Sequence, residues 1–559
     1  MNLTNTIIKN FYKEEKFSII CIIILSIIIN FFKINILSYI SSNIIKSIEN
    51  NNKKYAFQYY NYFFIGCIIF IILFYIFKYL QFKISFKIRY WTRLFLIDNV
   101  LSNNSENLQN LNFTKLNSPF YMMSNEFENI SSVFFNSIIP NLTLILIIFI
   151  FFIYINVKVG LIFLFGNILL LFYLWHEFNI IYNKYKNIEE TIIHSQSIIT
   201  EIFNNIYKII FRGTKNNELS KYKTSIDDLC KKNDICYKYI NYVILISNII
   251  IYGVILLIIF YLIYLYTNKE ITSVIFITFL TILLLYRDIM LIDLQRIPRF
   301  IEFYARNELS TKLFNINLFS NPNKNKVLNN KLKFNSLEFK NIDFHYDKNN
   351  KNNKNNKTEK IFNNFNLKID IEDKIIGIIG ISSKGKSTLS KLMLKIYPYE
   401  GSILIDNINI QNICTKYLRK NIIYVDQSGN LFDRKIIDNI FYGMHNSKNP
   451  TIISKNFLDK IMKYPKIKKL YDNINFEEKN AGFNGSNLSG GQRQVINIIN
   501  GLITPSIITI LDEPTNALDP ELKKEVLQLI KDFKKYNKCI IIITHDKDVY
   551  TILDEKIEI

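Results

Sequence analysis

The 559-residue chain holds few of the residues on which redox centres, metal sites and loop-rich folds depend: 6 cysteines, 5 histidines, 16 glycines and 10 prolines. Cys21, Cys67, Cys230, Cys236, Cys414 and Cys539 form no C-x-x-C pair and have no histidine cluster beside them, which argues against metal or redox chemistry. Residues 1–16 show neither a small-residue cleavage site nor the Arg-rich, acid-poor character of a transit peptide. The apolar residues from Phe17 onward are therefore expected to stay in the protein. Acidic residues are also short, 47 against 68 Lys and Arg, leaving a formal charge of +21. The surplus lysines are scattered and flank apolar runs instead of forming one patch, so anionic lipid accounts for them better than nucleic acid does.

Long apolar runs are abundant, and they are confined to the first 290 residues. A helix needs about 20 apolar residues to cross a bilayer core. Six stretches approach that length: Phe17 to Leu37, Tyr62 to Leu80, Leu142 to Ile155, Val159 to Leu174, Val243 to Tyr266 and Ile271 to Tyr286. Only Asn156, Val157 and Lys158 separate the third from the fourth, a spacing that predicts a tight hairpin. The loops after the second and fourth stretches are long, nearly free of glycine, helical in periodicity and rich in Lys and Arg. They are expected to extend into the cytoplasm as helices. Lys33 and Asn35 interrupt the first stretch, and Arg287 and Asp288 end the sixth; boundary or snorkelling positions explain them more simply than a polar path does. The sixth helix is expected to run on to about Phe314, with a kink at Pro298.

An Asn/Pro/Lys stretch, Asn321 to Asn330, marks a linker. The expected organisation is a six-helix membrane domain over 1–317, a linker over 318–334 and a soluble α/β domain over 335–559. Within the last, the Asn/Lys run from Lys348 to Lys357 is expected to be a hairpin loop.

That domain carries the chemistry. Gly380-Ile-Ser-Ser-Lys-Gly-Lys-Ser-Thr388 follows an apolar strand, Ile375 to Ile379, and precedes a helix over Leu389 to Ile396. This is the strand–loop–helix context of a phosphate-cradling P-loop. Backbone N–H groups from Gly380, Ser382, Ser383, Lys384 and Gly385 would hold ATP phosphates, together with the helix N-terminus at Thr388. Lys386 would reach the β- and γ-phosphates, and Ser387 would ligate Mg²⁺. A second apolar strand ends in Asp512 and Glu513, the first suited to the Mg²⁺ edge and the second to polarising an attacking water.

A third motif, Leu488-Ser489-Gly490-Gly491-Gln492, lies some twenty residues before Asp512. With it the chain resembles the ATP-binding cassette family, and among that family the exporter-type half-transporters, over essentially its whole length. The resemblance implies a helical membrane domain joined to a P-loop NTPase cassette. It makes Tyr346 the aromatic that stacks on adenine, Gln427 the Q-loop residue at the metal, Asp519 part of the D-loop and His545 the switch histidine. It also implies a second half-transporter, an identical chain being the natural expectation, because Ser489, Gly490, Gly491 and Gln492 would complete the nucleotide site of the partner and not their own. Short helices near Leu116 to Asn125 and Phe211 to Glu218 would dock on the cassettes.

Departures from the family pattern stand at Ser383 and Lys384 in the P-loop, at Asp426 where proline is usual before Gln427, and at Asn516 in the D-loop. Glu513 and His545 are intact, which favours hydrolysis over an ATP-gated channel. Fusion of spans and cassette in one chain argues for export over import, and the six spans exclude a soluble ATPase. Sixteen residues before the first span leave no room for the protease domain of a peptide-processing exporter. The uniformly apolar spans point to a lipid or hydrophobic substrate ahead of a peptide or conjugate.

Overall fold

The structure, a computed structural model, describes residues 3–103, 106, 117–313, 332–346, 360–380, 385–444, 450–472 and 474–559. The linker centred on 321–330, the 348–357 run and four P-loop residues, Ile381, Ser382, Ser383 and Lys384, lie outside them. The chain divides into two compact units, one comprising Met1–Asp98 with Asn112–Ile316, the other Asn99–Leu111 with Asn317–Ile559.

Among the described residues six long helices dominate the first unit: α1 (Leu3–Glu49), α2 (Lys53–Ser102), α3 (Asn117–Ile155), α4 (Val157–Asn204), α5 (Lys215–Thr267) and α6 (Ser273–Lys312). Each is long and apolar enough to cross a membrane, and in none is more than 33% of the most apolar window buried within the unit. Helices apolar on nearly all faces yet unburied have lipid as their natural solvent. The predicted hairpin between α3 and α4 is present. Asn156 leaves the helical region (φ −150°, ψ 113°) and its side chain accepts from the N–H groups of Lys158 (3.0 Å) and Val159 (3.2 Å), capping α4.

Several expectations are corrected. The first stretch runs past its expected end at Leu37: Phe32–Leu37, which holds Lys33 and Asn35, forms a π-helical turn, and the helix continues to Glu49. The break near Pro298 falls just before it, where Arg296 N–H turns back to the Asp293 carbonyl at 2.8 Å, because proline is tolerated only in the first turn of a new helix. Of the segment expected as a short docking helix at Leu116 to Asn125, Leu116 lies outside the described residues and 117–125 are the beginning of α3. At the other tip a helix covers Ile206–Arg212, and Gly213 (φ +65°) ends it before α5 starts.

Helices α4 and α5 approach closely at Gly166, where an added Cβ would lie 2.3 Å from Val254 Cγ2. Gly166→Leu should therefore destabilise the first unit by about 1–3 kcal/mol through overpacking. A lowered thermal midpoint in detergent, partly restored by a second Val254→Ala change, is the expected result. An unchanged midpoint would show that the contact is not tight.

In the second unit two sheets stack around isoleucine-rich cores. One is antiparallel, ordered β2-β1-β4-β5, from β1 (Ser336–Phe344), β2 (Phe362–Asp370), β4 (Glu400–Ile405) and β5 (Ile408–Asn409). The other is parallel, ordered β6-β7-β8-β3-β9, from β3 (Lys374–Ile379), β6 (Ile422–Val425), β7 (Ser506–Asp512), β8 (Asn537–Thr544) and β9 (Glu555–Glu558). Strands β3, β7 and β8 read as near-continuous apolar runs because a parallel sheet is covered on both faces. Helix α7 (Lys386–Met393) follows β3, α8 (Gly490–Ile503) precedes β7 and α9 (Pro520–Phe533) follows it. Helix α7 starts three residues before the expected Leu389, so Lys386, Ser387 and Thr388 form its first turn. Glu106 also belongs to this unit, where its carboxylate lies 3.5 Å from the buried Lys395 ammonium.

Candidate nucleotide site

Adjacent parallel strands deliver the acidic residues. β7 lies between β6 and β8 and ends at Asp512, and β3, on the other side of β8, leads into the P-loop. Gly385 caps α7 with φ +86°, a conformation that suits glycine and turns the helix N-terminus toward the loop. Lys386, mostly buried, donates from Nζ to the Gly380 carbonyl at 2.8 Å, which folds its ammonium back across the loop. An open pocket is lined by Tyr346, Gly385, Lys386, Ser387, Thr388, Gln427, Glu513, Asn516 and His545. Eight of the predicted site residues thus meet in one place, joined by Ile361 and by Asn516, which was noted in the sequence only as a departure.

Around Asp512 (3% exposed) two hydroxyls converge: Ser387 Oγ donates to Oδ1 at 3.0 Å and Tyr424 to Oδ2 at 2.7 Å. Burial, with lesser contributions from the Asp426 and Glu513 charges, pushes the Asp512 carboxyl above the usual carboxylate range, against the two hydroxyls. Burial and the neighbouring Asp512 carboxylate push the Tyr424 phenol up as well, so it stays a donor. A buried carboxylate and a serine hydroxyl at the first turn of a phosphate-facing helix are hard oxygen donors, the set that Mg²⁺ takes when substrate phosphates and water complete its shell. Gln427 opens onto the same pocket.

Glu513 follows β7 with φ +48°, a rare conformation for a non-glycine residue, held by its N–H donating to the Ile543 carbonyl at 2.9 Å. Its Oε1 lies 2.7 Å from His545 Nδ1, and Thr544 Oγ1 donates to Oε2 at 3.4 Å. The pair is set by the register of β7 beside β8, in which Asp512 lies opposite Ile543. Tyr346 lies two residues beyond the end of β1. Its ring packs edge-on against Phe344 and Tyr397, and its hydroxyl is 2.8 Å from Thr388 Oγ1.

Not every predicted residue joins this pocket. Ser489 caps α8 in a reciprocal box: its Oγ accepts from Gln492 N–H (3.2 Å), and Gln492 Oε1 accepts from Ser489 N–H (2.8 Å). Gly490 and Gly491 form the first turn, with open space at Gly490, and none of these four residues lines the pocket. Asp519 caps α9 through Oδ1, accepting from Glu521 N–H (3.2 Å) and Leu522 N–H (3.0 Å). Tyr424 was missed, since nothing in a short apolar strand signals that its aromatic will meet the carboxylate of the neighbouring strand.

Comparison with known proteins accords with this arrangement. Residues 19–290 match the ABC transporter transmembrane region and residues 362–516 match the ABC transporter family. A Rickettsia felis protein named as an export ATP-binding/permease protein is 40% identical over 215 residues, which is 38% of this chain and 34% of that protein. The ATP-dependent lipid A-core flippase of Haemophilus influenzae is 31% identical over 222 residues, 39% of this chain and 35% of that protein. The chain thus spans about a third of the length of these curated relatives. The structure of a bacterial Atm1-family ABC exporter with ATP bound shares the fold, with a TM-score of 0.79 at 15% identity, covering 98% of this chain and 94% of that one. With a transmembrane region placed ahead of a single nucleotide cassette, this integral membrane protein belongs to the ABC transporters, in half-transporter form.

Proposed function

We propose that the protein is an ATP-driven exporter that works as a dimer, an identical chain being the simplest partner, with its cassettes in the cytoplasm. The membrane domain would occupy 1–317, the linker 318–334 and the cassette 335–559. Tyr346 would stack on adenine; the loop from Gly380 through Ser382, Ser383, Lys384 and Gly385 to Thr388 would cradle the phosphates, with Lys386 against the outer two. Mg²⁺ would be held by Ser387, Asp512 and Gln427 and would neutralise phosphate charge. Glu513 would polarise the attacking water, oriented by His545.

The observation that carries the reading is that Ser489–Gln492, at a helix N-terminus with open space at Gly490, do not line the pocket of their own cassette. A helix N-terminus beginning on two glycines can cradle an anion, and ATP held in a second cassette would supply it. Asp519, at a neighbouring helix start, would lie at the same dimer interface. The substrate would be a lipid or other hydrophobic compound, a reading supported by the uniformly apolar spans and by the flippase among the relatives.

Complementation tests the shared site. Lys386→Ala spoils one half of each nucleotide site and Ser489→Arg the other, so neither variant alone should trap ATP. Mixed dimers would contain one site with both halves intact, and trapping should reappear in about a quarter of the sites if chains pair at random. No recovery on mixing, with both variants folded and mixed dimers present, would mean that the site is not shared.

A further inference from the structure

Asp426 is a departure from the family pattern that the reading above leaves unused, and the structure places it beside the metal edge of the pocket. Tyr424, the penultimate residue of β6, pairs with Ile510 of β7, and its hydroxyl donates to Asp512 Oδ2 at 2.7 Å. The same hydroxyl lies 3.4 Å from Asp426 Oδ1, and Asp426 Oδ2 accepts from Ser428 Oγ at 2.7 Å. A phenol has one proton, which goes to the nearer acceptor, Asp512. The hydroxyl therefore fixes the Asp512 carboxylate from the side opposite Ser387, which donates to Oδ1. Asp426, tethered by Ser428, adds a second negative charge a single phenol oxygen away. Two carboxylates bridged in this way repel each other, and a cation nearby relieves that repulsion. Groups that orient a metal-ligating carboxylate from behind typically change metal affinity 10–100-fold when removed.

We propose that Tyr424 is a positioning residue for the divalent metal and that Asp426, acting through it, tightens metal binding beyond what Ser387, Asp512 and Gln427 achieve alone. Proline at this position offers neither the charge nor the acceptor, so the tightening belongs to this chain. The proposal rests on the nucleotide–magnesium reading above.

Mn²⁺ uptake by the full-length dimer tests it, measured by electron paramagnetic resonance with saturating ATP in a Glu513→Gln parent that does not turn over. ATP affinity in excess chelator serves as the metal-free reference, which a merely structural role of Tyr424 would shift alongside the metal-dependent value. Tyr424→Phe should weaken Mn²⁺ about tenfold and Asp426→Asn about threefold, with Asp426→Glu retaining parental affinity and metal-free ATP affinity unchanged throughout. Values within twofold of the parent for both Tyr424→Phe and Asp426→Asn would overturn the proposal. So would a loss confined to Asp426→Asn, since the tyrosine would then not be the link. A parent that takes up no Mn²⁺ beyond that bound by free ATP would instead overturn the metal reading on which the proposal stands.

Discussion

Glu513→Gln should lower ATP hydrolysis by at least about 100-fold while leaving ATP binding intact, the loss expected when a positioned general base is removed. The geometry is specific. Glu513 is mostly buried (8% exposed) and held at φ +48° by a backbone hydrogen bond to Ile543, and its carboxylate is shared between His545 and Thr544. Strain of this kind costs about 1–3 kcal/mol and persists where surrounding contacts enforce it. Glutamine keeps the size and one acceptor oxygen but cannot take a proton from water. The variant should therefore fold, bind ATP and keep its cassettes paired around nucleotide. Phosphate release by purified protein in lipid, alongside nucleotide retention on a filter, separates the two effects. Turnover near the parental rate would remove Glu513 from the chemistry and place the base elsewhere.

Arg306→Met is expected to destabilise the membrane unit by about 3–5 kcal/mol, the usual cost of leaving a buried charge without its partner. The Arg306 guanidinium, on α6, meets Glu126 on α3 (3.1 Å), Glu189 on α4 (2.7 Å) and Glu302 on its own helix (2.8 Å). Glu189 is 1% exposed, and its second oxygen has no hydrogen-bond partner among the described residues. Removing the cation leaves three carboxylates facing one another where water cannot reach them all. Arg306→Lys should recover only part of the loss, because an ammonium cannot span three carboxylates as a planar fork does. Thermal inactivation in detergent is the measurement, and adding Glu189→Gln to Arg306→Met should restore a substantial share. A double variant no more stable than Arg306→Met would show that the charge imbalance is not what unfolds it.

Much of the molecule was legible in the chain because its signals are local. A run of about 20 apolar residues has few soluble destinations, so the six spans follow from composition alone. The P-loop pattern between an apolar strand and a helix is likewise local, so the strand ending at Ile379 and the helix that follows could be placed without coordinates. The same is true of the tight hairpin at Asn156, Val157 and Lys158, which the spacing of the two apolar runs predicted; that Asn156 caps the second helix emerged from the structure.

Tertiary structure decided what depends on neighbours distant in sequence. That α1 runs on past Leu37, through a π-helical turn that holds Lys33 and Asn35, has no signal in the apolar pattern. The Arg306 cluster draws on three helices whose charged residues look unremarkable singly, since a surface glutamate and a buried one have the same letter. The contact between Tyr424 and Asp512 requires β6 to lie beside β7 in parallel register, a pairing across 88 residues of sequence. Local steric and hydrogen-bonding preferences act within a few residues and are written in the chain; which carboxylate meets which hydroxyl depends on the order of strands, and that is settled only when the sheet assembles.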